Sequence, residues 1–279
     1  MNVINFHFTN CCNYKCVYCF AKSKNKAKEL SFEECMQVVD MIQEYFVENN
    51  ISDGRINLVG GEPLVSPFIQ ELIDYCFQKG IQVSIVTNAS LLSCDFVQKN
   101  KNKLYMIGIS VDSLIEKTNL KIGRCCASKT LNREALVKIC KEIKKCGIKL
   151  KINTVVSKLN CKENFADFNN EVEADKIKVF QMCHVKGVND KARQYKISQV
   201  EFESFCNNNQ TANIMVVESE SDMQSSYLMI NNYGDFILND NGEYKSYGNI
   251  LKEKLSALIK KSNFDGLKFE KRYGGNQNV

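Results

Sequence analysis

The sequence predicts an α/β fold, in which six parallel strands separated by helices form a partial barrel, followed by an α+β extension. Segments with strand and helix periodicity alternate over residues 1–184, a pattern typical of parallel sheets with right-handed crossovers. The alternation then stops. We therefore expect a first domain over residues 1–184 and an extension over 185–279 that closes its open side. An openly wound sheet is the alternative that this alternation permits.

Each element has a local signal. The six strands are expected at residues 3–8, 56–59, 83–86, 106–109, 150–155 and 177–180. The first helix begins at a capping box formed by Ser31 and Glu34, and its apolar residues recur at helical spacing. Further helices are expected from Ser66 to Gly80, near Asp95, over 131–146 and in the polar segment before the sixth strand. The extension should contain helices over 198–206 and 252–260 and short strands around 214–217 and 227–230.

The composition is that of an ordinary globular protein, with 44% hydrophobic and 25% charged residues in 279. No apolar run approaches the roughly 20 residues that span a bilayer, and residues 1–9 lack the features of a signal peptide. We expect a cytoplasmic monomer without a membrane partner. The net charge of +5 does not require nucleic acid, and we expect none. It suits a small polyanionic substrate if basic residues converge.

Fourteen cysteines are many for this length. In a cytosolic protein they favour metal binding or catalysis over a disulfide framework. Most of them, such as Cys35, Cys76, Cys140 and Cys146, fall on apolar faces of helix-like segments, where a thiol acts as a small hydrophobic group.

Only the cysteines near the N-terminus have the spacing of ligands. Cys12, Cys16 and Cys19 form a C-x-x-x-C-x-x-C motif just after the first strand, where parallel barrels carry active-site loops. Three thiolates can hold a 4Fe-4S cluster by three irons and leave the fourth for S-adenosylmethionine (SAM). A zinc site is the alternative; it would need a fourth ligand, for which Cys11 is available. We interpret Cys11 as a bystander.

A second motif, Gly60-Gly61-Glu62-Pro63, follows the second strand. The glycines would let the backbone approach the methionyl amine of SAM, and Glu62 with Pro63 would fix the turn. A plain strand-to-helix turn is the alternative.

These motifs and the alternation of strands and helices resemble the radical SAM superfamily, and nearly the whole chain is similar to its viperin family, in a prokaryotic form. The matching stretches are residues 5–9, 12–16, 56–57, 60–63, 84–88, 109–113, 122–124, 151–153, 178–181, 226–228, 264–265 and 271–272. The resemblance implies a radical SAM barrel that converts a nucleoside triphosphate to its 3′-deoxy-3′,4′-didehydro analogue. A 5′-deoxyadenosyl radical would abstract the ribose C4′ hydrogen, and water would be lost. CTP is the expected substrate, with UTP or GTP as alternatives, and the product would be an antiviral chain terminator.

The resemblance also assigns the site. The cluster falls to Cys12, Cys16 and Cys19, and SAM to Gly60, Gly61, Glu62, Ser110 and Arg124; a solvent-exposed arginine is the alternative for Arg124. For the triphosphate, the resemblance adds Asn5 and Asn88 to the basic candidates at or after strand ends, which are Arg55, Lys178, Lys245, Lys271 and Arg272.

Further roles are expected for Lys178, for the C-terminal tail and for Tyr227, which resembles a tyrosine of the family. Lys178 would point into the barrel, although an alternating strand also lets it face solvent. The basic tail around Lys271 and Arg272 is a candidate lid. Tyr227 would deliver a hydrogen or proton late in the reaction, and a core tyrosine is the alternative. A reductase, flavodoxin or ferredoxin would donate electrons.

Two other functions remain open from the sequence. A radical SAM enzyme acting on a peptide or tRNA would keep the cluster, but maturases usually carry further cysteine clusters. After residue 161 this chain has only Cys183 and Cys206. A non-enzymatic iron- or zinc-binding module is the second alternative.

Overall fold

The first part of the chain forms six parallel strands. The computed structural model describes residues 1–21, 28–211 and 214–273. The strands are β1 (Val3–Thr9), β2 (Arg55–Gly60), β3 (Gln82–Thr87), β4 (Leu104–Ser110), β5 (Lys149–Val156) and β6 (Lys176–Gln181). Each pairs with the next in chain order. The six predicted strands are therefore confirmed, within an α/β sheet that is not closed.

The extension adds strands to both ends of this sheet. On one side β7 (Met215–Glu218) lies parallel to β6. On the other, β8 (Met229–Ile230) lies parallel to β1, and the hairpin of β9 (Asp235–Asp240) and β10 (Glu243–Asn249) continues from it. One ten-stranded sheet thus contains strands from both sides of residue 184.

Nine α-helices occur in the described residues: α1 (Phe32–Glu48), α2 (Ile69–Gln78), α3 (Cys94–Asn100), α4 (Glu116–Ile122), α5 (Arg133–Lys145), α6 (Ala166–Val172), α7 (Gln199–Asn208), α8 (Leu255–Lys260) and α9 (Gly266–Tyr273). The predicted capping box is confirmed, since the Ser31 hydroxyl accepts from the Glu34 N–H at 3.2 Å and Glu34 accepts from the Ser31 N–H at 2.8 Å. Helix α4 was not predicted. None of the described helices is long and apolar enough to cross a bilayer.

The two faces of the sheet differ in chemistry because successive strand residues point to opposite faces. One face is apolar and packs in a single core with buried residues of the helices, including Ile42, Ile73 and Cys140. The apolar face carries Ile4, Phe6, Ile56, Leu58, Ile107, Leu150, Ile152 and Ile177. The opposite face, here called the polar face, carries Asn5, Asn57, Ser84, Ser110, Lys151, Asn153 and Lys178, which lie in register across neighbouring strands. Buried polar groups without water need partners, so this face is suited to a polar ligand.

The cysteines expected in helices are in the core. Cys35, Cys76 and Cys140 are buried, and half-buried Cys146 packs against the same core. All fourteen lie among the described residues, where no disulfide joins them.

Candidate active site

The segment that follows β1, residues 10–20, contains Cys12, Cys16 and Cys19 and is here called the cysteine loop. Hydrogen bonds tie it to the ends of neighbouring elements. The Glu62 N–H donates to the Cys11 carbonyl at 2.7 Å, and the Lys15 N–H donates to the Gly123 carbonyl at 3.0 Å. The loop is therefore held by β2 and by the end of α4.

Glycine is required where these elements meet the loop. A Cβ atom on Gly61 would lie 2.1 Å from the Cys11 carbonyl oxygen, and one on Gly123 would lie 2.5 Å from that of Lys15. Gly123 also has a φ of 85°, which favours glycine. At Gly60, a Cβ atom would lie 2.2 Å from the Thr9 carbonyl oxygen. In the structure the end of β1 approaches Gly60, and the cysteine-loop backbone approaches Gly61 and Gly123; contact with SAM remains a prediction.

The three predicted cluster thiols are all half-buried, whereas Cys11 is exposed. Burial raises the pKa of Cys16 to about 12, and the nearby Arg124 guanidinium opposes this shift. The Tyr14 N–H points at the Cys12 sulfur at 3.4 Å, so the loop already supplies a donor to a thiolate. Iron binding would favour the thiolate form, since a metal deprotonates its thiol ligand. These residues fit a cluster.

A single metal ion would need several ligand side chains close to one point. Within residues 1–21, 28–211 and 214–273, no three histidine, cysteine, aspartate or glutamate side chains converge on one ion. A cluster does not need such convergence, because each thiolate binds a different iron.

The Glu62 side chain links the turn after β2 to the end of β3. Its carboxylate accepts from the Thr87 hydroxyl at 2.6 Å, from the Asn88 N–H at 2.7 Å and from the Leu64 N–H at 3.1 Å. Burial raises the pKa of this carboxyl group. The predicted turn-fixing role of Glu62 therefore has a structural basis, and its contact with SAM remains a prediction.

Ser110 and Arg124, predicted to bind the SAM carboxylate, lie together. Arg124 is only 9% exposed, so the alternative of a solvent-exposed arginine is wrong. Its guanidinium donates to Asp112 at 2.9 Å and to the Ser110 carbonyl at 2.5 Å. Both residues line a pocket with Tyr14 and Asn88, beside the cysteine loop.

Asn88 lies on this side of the site. Its side chain donates to Asn13 of the cysteine loop at 2.9 Å and accepts from the Ser90 N–H at 2.9 Å. The structure thus places Asn88, a predicted triphosphate ligand, in the pocket that Arg124 lines. The Asn88 side chain links the cysteine loop to the end of β3.

Lys178 is buried on the polar face, with 5% of its surface exposed. The alternative in which it faces solvent is therefore wrong. Its ammonium group forms an ion pair with Glu218 and donates to the Tyr227 hydroxyl at 3.0 Å. Burial lowers the pKa of Lys178 to about 8, and the Glu218 carboxylate opposes this shift.

Arg272 reaches the same carboxylate from α9. Its Nε lies 3.0 Å from Glu218 Oε1, and its Nη atoms donate to the Ser226 carbonyl at 2.6 Å and the Asp222 carbonyl at 2.8 Å. Arg272 is therefore packed inside the fold, whereas Lys271, the other residue of the predicted lid, is exposed. The rest of the predicted lid, residues 274–279, lies outside the described residues.

Two lysines that were not predicted as ligands, Lys151 and Lys176, lie on the polar face with Lys178. They are paired in register on β5 and β6. Burial lowers the pKa of Lys151 well below its usual value, and the charges of Lys178, Arg55 and Lys176 add to this shift. Lysines at alternating positions, 149 and 151 in one strand and 176 and 178 in the next, were the signal available in the sequence.

We call Arg55, Lys151, Lys176, Lys178 and Arg272 the cation cluster. Arg55 stacks 5.0 Å from the Tyr105 ring centre, and among the described residues its Nε finds no hydrogen-bond partner.

The other predicted triphosphate ligands lie in different parts of the fold. Asn5 lies on the polar face, where it accepts from Asn57 at 2.9 Å. Lys245 lies on β10, with its side chain 58% exposed and 3.9 Å from Asp240. The structure does not bring Lys245 or Lys271 to the cation cluster.

Tyr227 contacts Glu218, Lys178 and Arg272. Its hydroxyl donates to Glu218 and accepts from Lys178, and the Arg272 guanidinium carbon stands 3.8 Å from its ring centre. Burial, followed by the Glu218 charge, raises the pKa of Tyr227 well above its usual value. The phenol therefore stays protonated and is hydrogen-bonded at the polar face. Its catalytic role remains a prediction.

Comparison with known proteins finds similar chains and similar folds. The sequence model described as the radical SAM superfamily matches residues 6–169. An S-adenosylmethionine-dependent nucleotide dehydratase of Flammeovirga pacifica is 34% identical over 97% of this chain and 94% of its own length. One from Danio rerio is 34% identical over 97% of this chain and 76% of its own.

Solved structures show the same fold at low identity. Streptococcus suis SuiB bound to S-adenosylmethionine has a TM-score of 0.67 and 18% identity, over 97% of this chain and 67% of that one. Native anSMEcpe with bound AdoMet has a TM-score of 0.63 and 14% identity, over 97% and 82%.

Proposed function

Because the chain belongs to the radical SAM superfamily and, within it, to the S-adenosylmethionine-dependent nucleotide dehydratases, we propose that it dehydrates a nucleoside triphosphate. CTP is the first candidate, with UTP and GTP as alternatives. The product would be the 3′-deoxy-3′,4′-didehydro nucleotide, an antiviral chain terminator.

The cation cluster is the observation that carries the choice of substrate. Five basic side chains gather on and beside the polar face, and each of the three lysines has its pKa lowered. A triphosphate carries about four negative charges and needs several convergent cations. Such a ligand would balance charges that are costly to bury unpaired.

The register of the sheet supports a reaction between this ligand and SAM. Lys178 pairs with Asn153, and Asn153 pairs with Ser110 at the Arg124 pocket. Two strand spacings, about 10 Å, therefore separate the phosphate side from the SAM side. A nucleotide held by its phosphates at the cation cluster could extend its ribose toward that pocket.

The residues would divide the work as follows. Cys12, Cys16 and Cys19 would hold the cluster, and Arg124 with Ser110 would orient the carboxylate of SAM. When bound, the cluster and SAM would supply a 5′-deoxyadenosyl radical that takes the ribose C4′ hydrogen before the 3′-hydroxyl leaves as water. The chemistry would take two electrons, one to cleave SAM and one, with a proton, to release the 3′-hydroxyl as water from the ribose radical; a flavodoxin, ferredoxin or reductase would donate both.

Tyr227 and Asn5 would act on the substrate itself. The Tyr227 hydroxyl, held between Glu218 and Lys178, is the candidate donor of a late hydrogen or proton. Asn5 would add an amide contact on the polar face.

The test is coupling between SAM cleavage and the nucleotide. Anaerobically reconstituted protein would be given SAM and dithionite with CTP, UTP, GTP, ATP or no nucleotide. We expect a triphosphate to speed 5′-deoxyadenosine formation, because substrate binding orders and closes such sites. Equal rates in all five reactions would contradict the proposal and favour a peptide or RNA substrate.

A further inference from the structure

Glu218 stands at the end of β7, beside the cation cluster. It is 3% exposed, and its carboxylate contacts Lys178, Arg272 and Tyr227 at once. These contacts come from three separate elements: β6, α9 and the segment before β8. The carboxylate therefore lies where cations from distant parts of the chain meet.

This carboxylate only partly balances the cluster. Within the part of the chain that the structure describes, Lys151 and Lys176 have no ion-pair partner, although both feel the Glu218 charge. Unpaired buried charges are unfavourable, and a buried carboxylate is retained where cations surround it. The Lys178 ammonium and the Arg272 Nε form ion pairs with Glu218, and a phosphate oxygen could pair with both cations instead.

We propose that Glu218 is an internal competitor of the substrate phosphates. This inference rests on the triphosphate site proposed above. In the nucleotide-free protein, Glu218 is the ion-pair partner of Lys178 and Arg272 and favours the charged form of Lys178. A triphosphate must displace the carboxylate. It can do so because it carries more charge and also reaches Lys151, Lys176 and Arg55, which Glu218 leaves unpaired.

The competition predicts an effect that is unusual for a buried residue in a binding site: its neutralisation tightens binding. Glu218→Gln keeps the shape of the side chain and removes its charge, so an incoming phosphate no longer breaks an ion pair. We expect affinity for inorganic tripolyphosphate to rise by about tenfold, the scale of one charge-assisted hydrogen bond. Titration calorimetry on the reconstituted protein with SAM, at pH 7, measures it.

The matched control is Glu243→Gln. It removes a carboxylate from the exposed pair with Lys186, and tripolyphosphate affinity should stay the same. If Glu218→Gln does not fold, Glu218→Asp replaces it. Its shorter side chain reaches the two cations less well, so affinity should rise by about threefold, less than the value for full neutralisation.

The outcomes separate this inference from the proposed function. If wild-type protein binds tripolyphosphate and Glu218→Gln binds it equally or more weakly, Glu218 is not a competitor, and the triphosphate site stands. If neither wild-type protein nor the variants bind tripolyphosphate or CTP, both the inference and the triphosphate site are wrong.

Discussion

Replacing Cys12, Cys16 or Cys19 with alanine should abolish cluster binding. Wild-type protein reconstituted without oxygen should bind about four irons per chain and absorb broadly in the visible range. Each variant removes one of three ligands from a loop whose backbone is tied to Glu62 and Gly123, and we expect no neighbouring residue to replace it. SAM cleavage should disappear with the cluster. Iron content and the absorption spectrum measure the effect.

Cys11→Ala is the matched control. Cys11 is exposed, and its contact with the second motif uses its backbone carbonyl, which alanine retains. Iron content should remain at the wild-type value. Wild-type protein that binds one zinc and no iron would contradict the radical SAM site, and so would a Cys12→Ala variant that retains a full cluster.

Lys178→Ala should lower nucleotide affinity by about ten- to a hundredfold. The variant loses one charge-assisted hydrogen bond, worth roughly 1.5 to 3 kcal/mol. We expect the upper part of this range, because Glu218 would remain and repel the phosphates. Lys178→Arg should restore affinity only in part, since a planar guanidinium does not replace a compact ammonium. Titration of reconstituted protein with CTP measures the change, and iron content should be unaffected.

The control for Lys178 is Lys245→Ala. The Lys245→Ala substitution removes the same charge from an exposed position on β10, so nucleotide affinity should hardly change. Lys176 is unsuitable as a control, because it shares the cation cluster with Lys178. Full nucleotide affinity in Lys178→Ala would contradict the triphosphate site.

Local signals in the sequence predicted most of the fold. Ser31 with Glu34 marked the start of α1, and alternating strands and helices indicated the parallel sheet. The β9–β10 hairpin was missed although its turn signal was present. Asn241 and Gly242 have φ values of 53° and 81°, and an Asn-Gly pair is the usual choice where both turn residues need positive φ.

The candidate site could be predicted where chemistry is local in sequence. The cysteine and glycine motifs lie within short segments, and the structure places them against each other. Glu218 could not be found this way, because its partners Lys178 and Arg272 are 40 and 54 residues away and meet it only through strand pairing and helix packing. Lys245 was selected for its charge, but its place on an outer strand depends on the hairpin.

The most direct measurement is the fate of the ribose C4′ hydrogen. Reconstituted protein would be incubated with SAM, dithionite and the preferred triphosphate carrying deuterium at C4′. We predict that the 5′-deoxyadenosine formed gains one deuterium and that the nucleotide product lacks both this deuterium and the 3′-hydroxyl. Unlabelled 5′-deoxyadenosine together with an unchanged nucleotide would contradict the proposed dehydration.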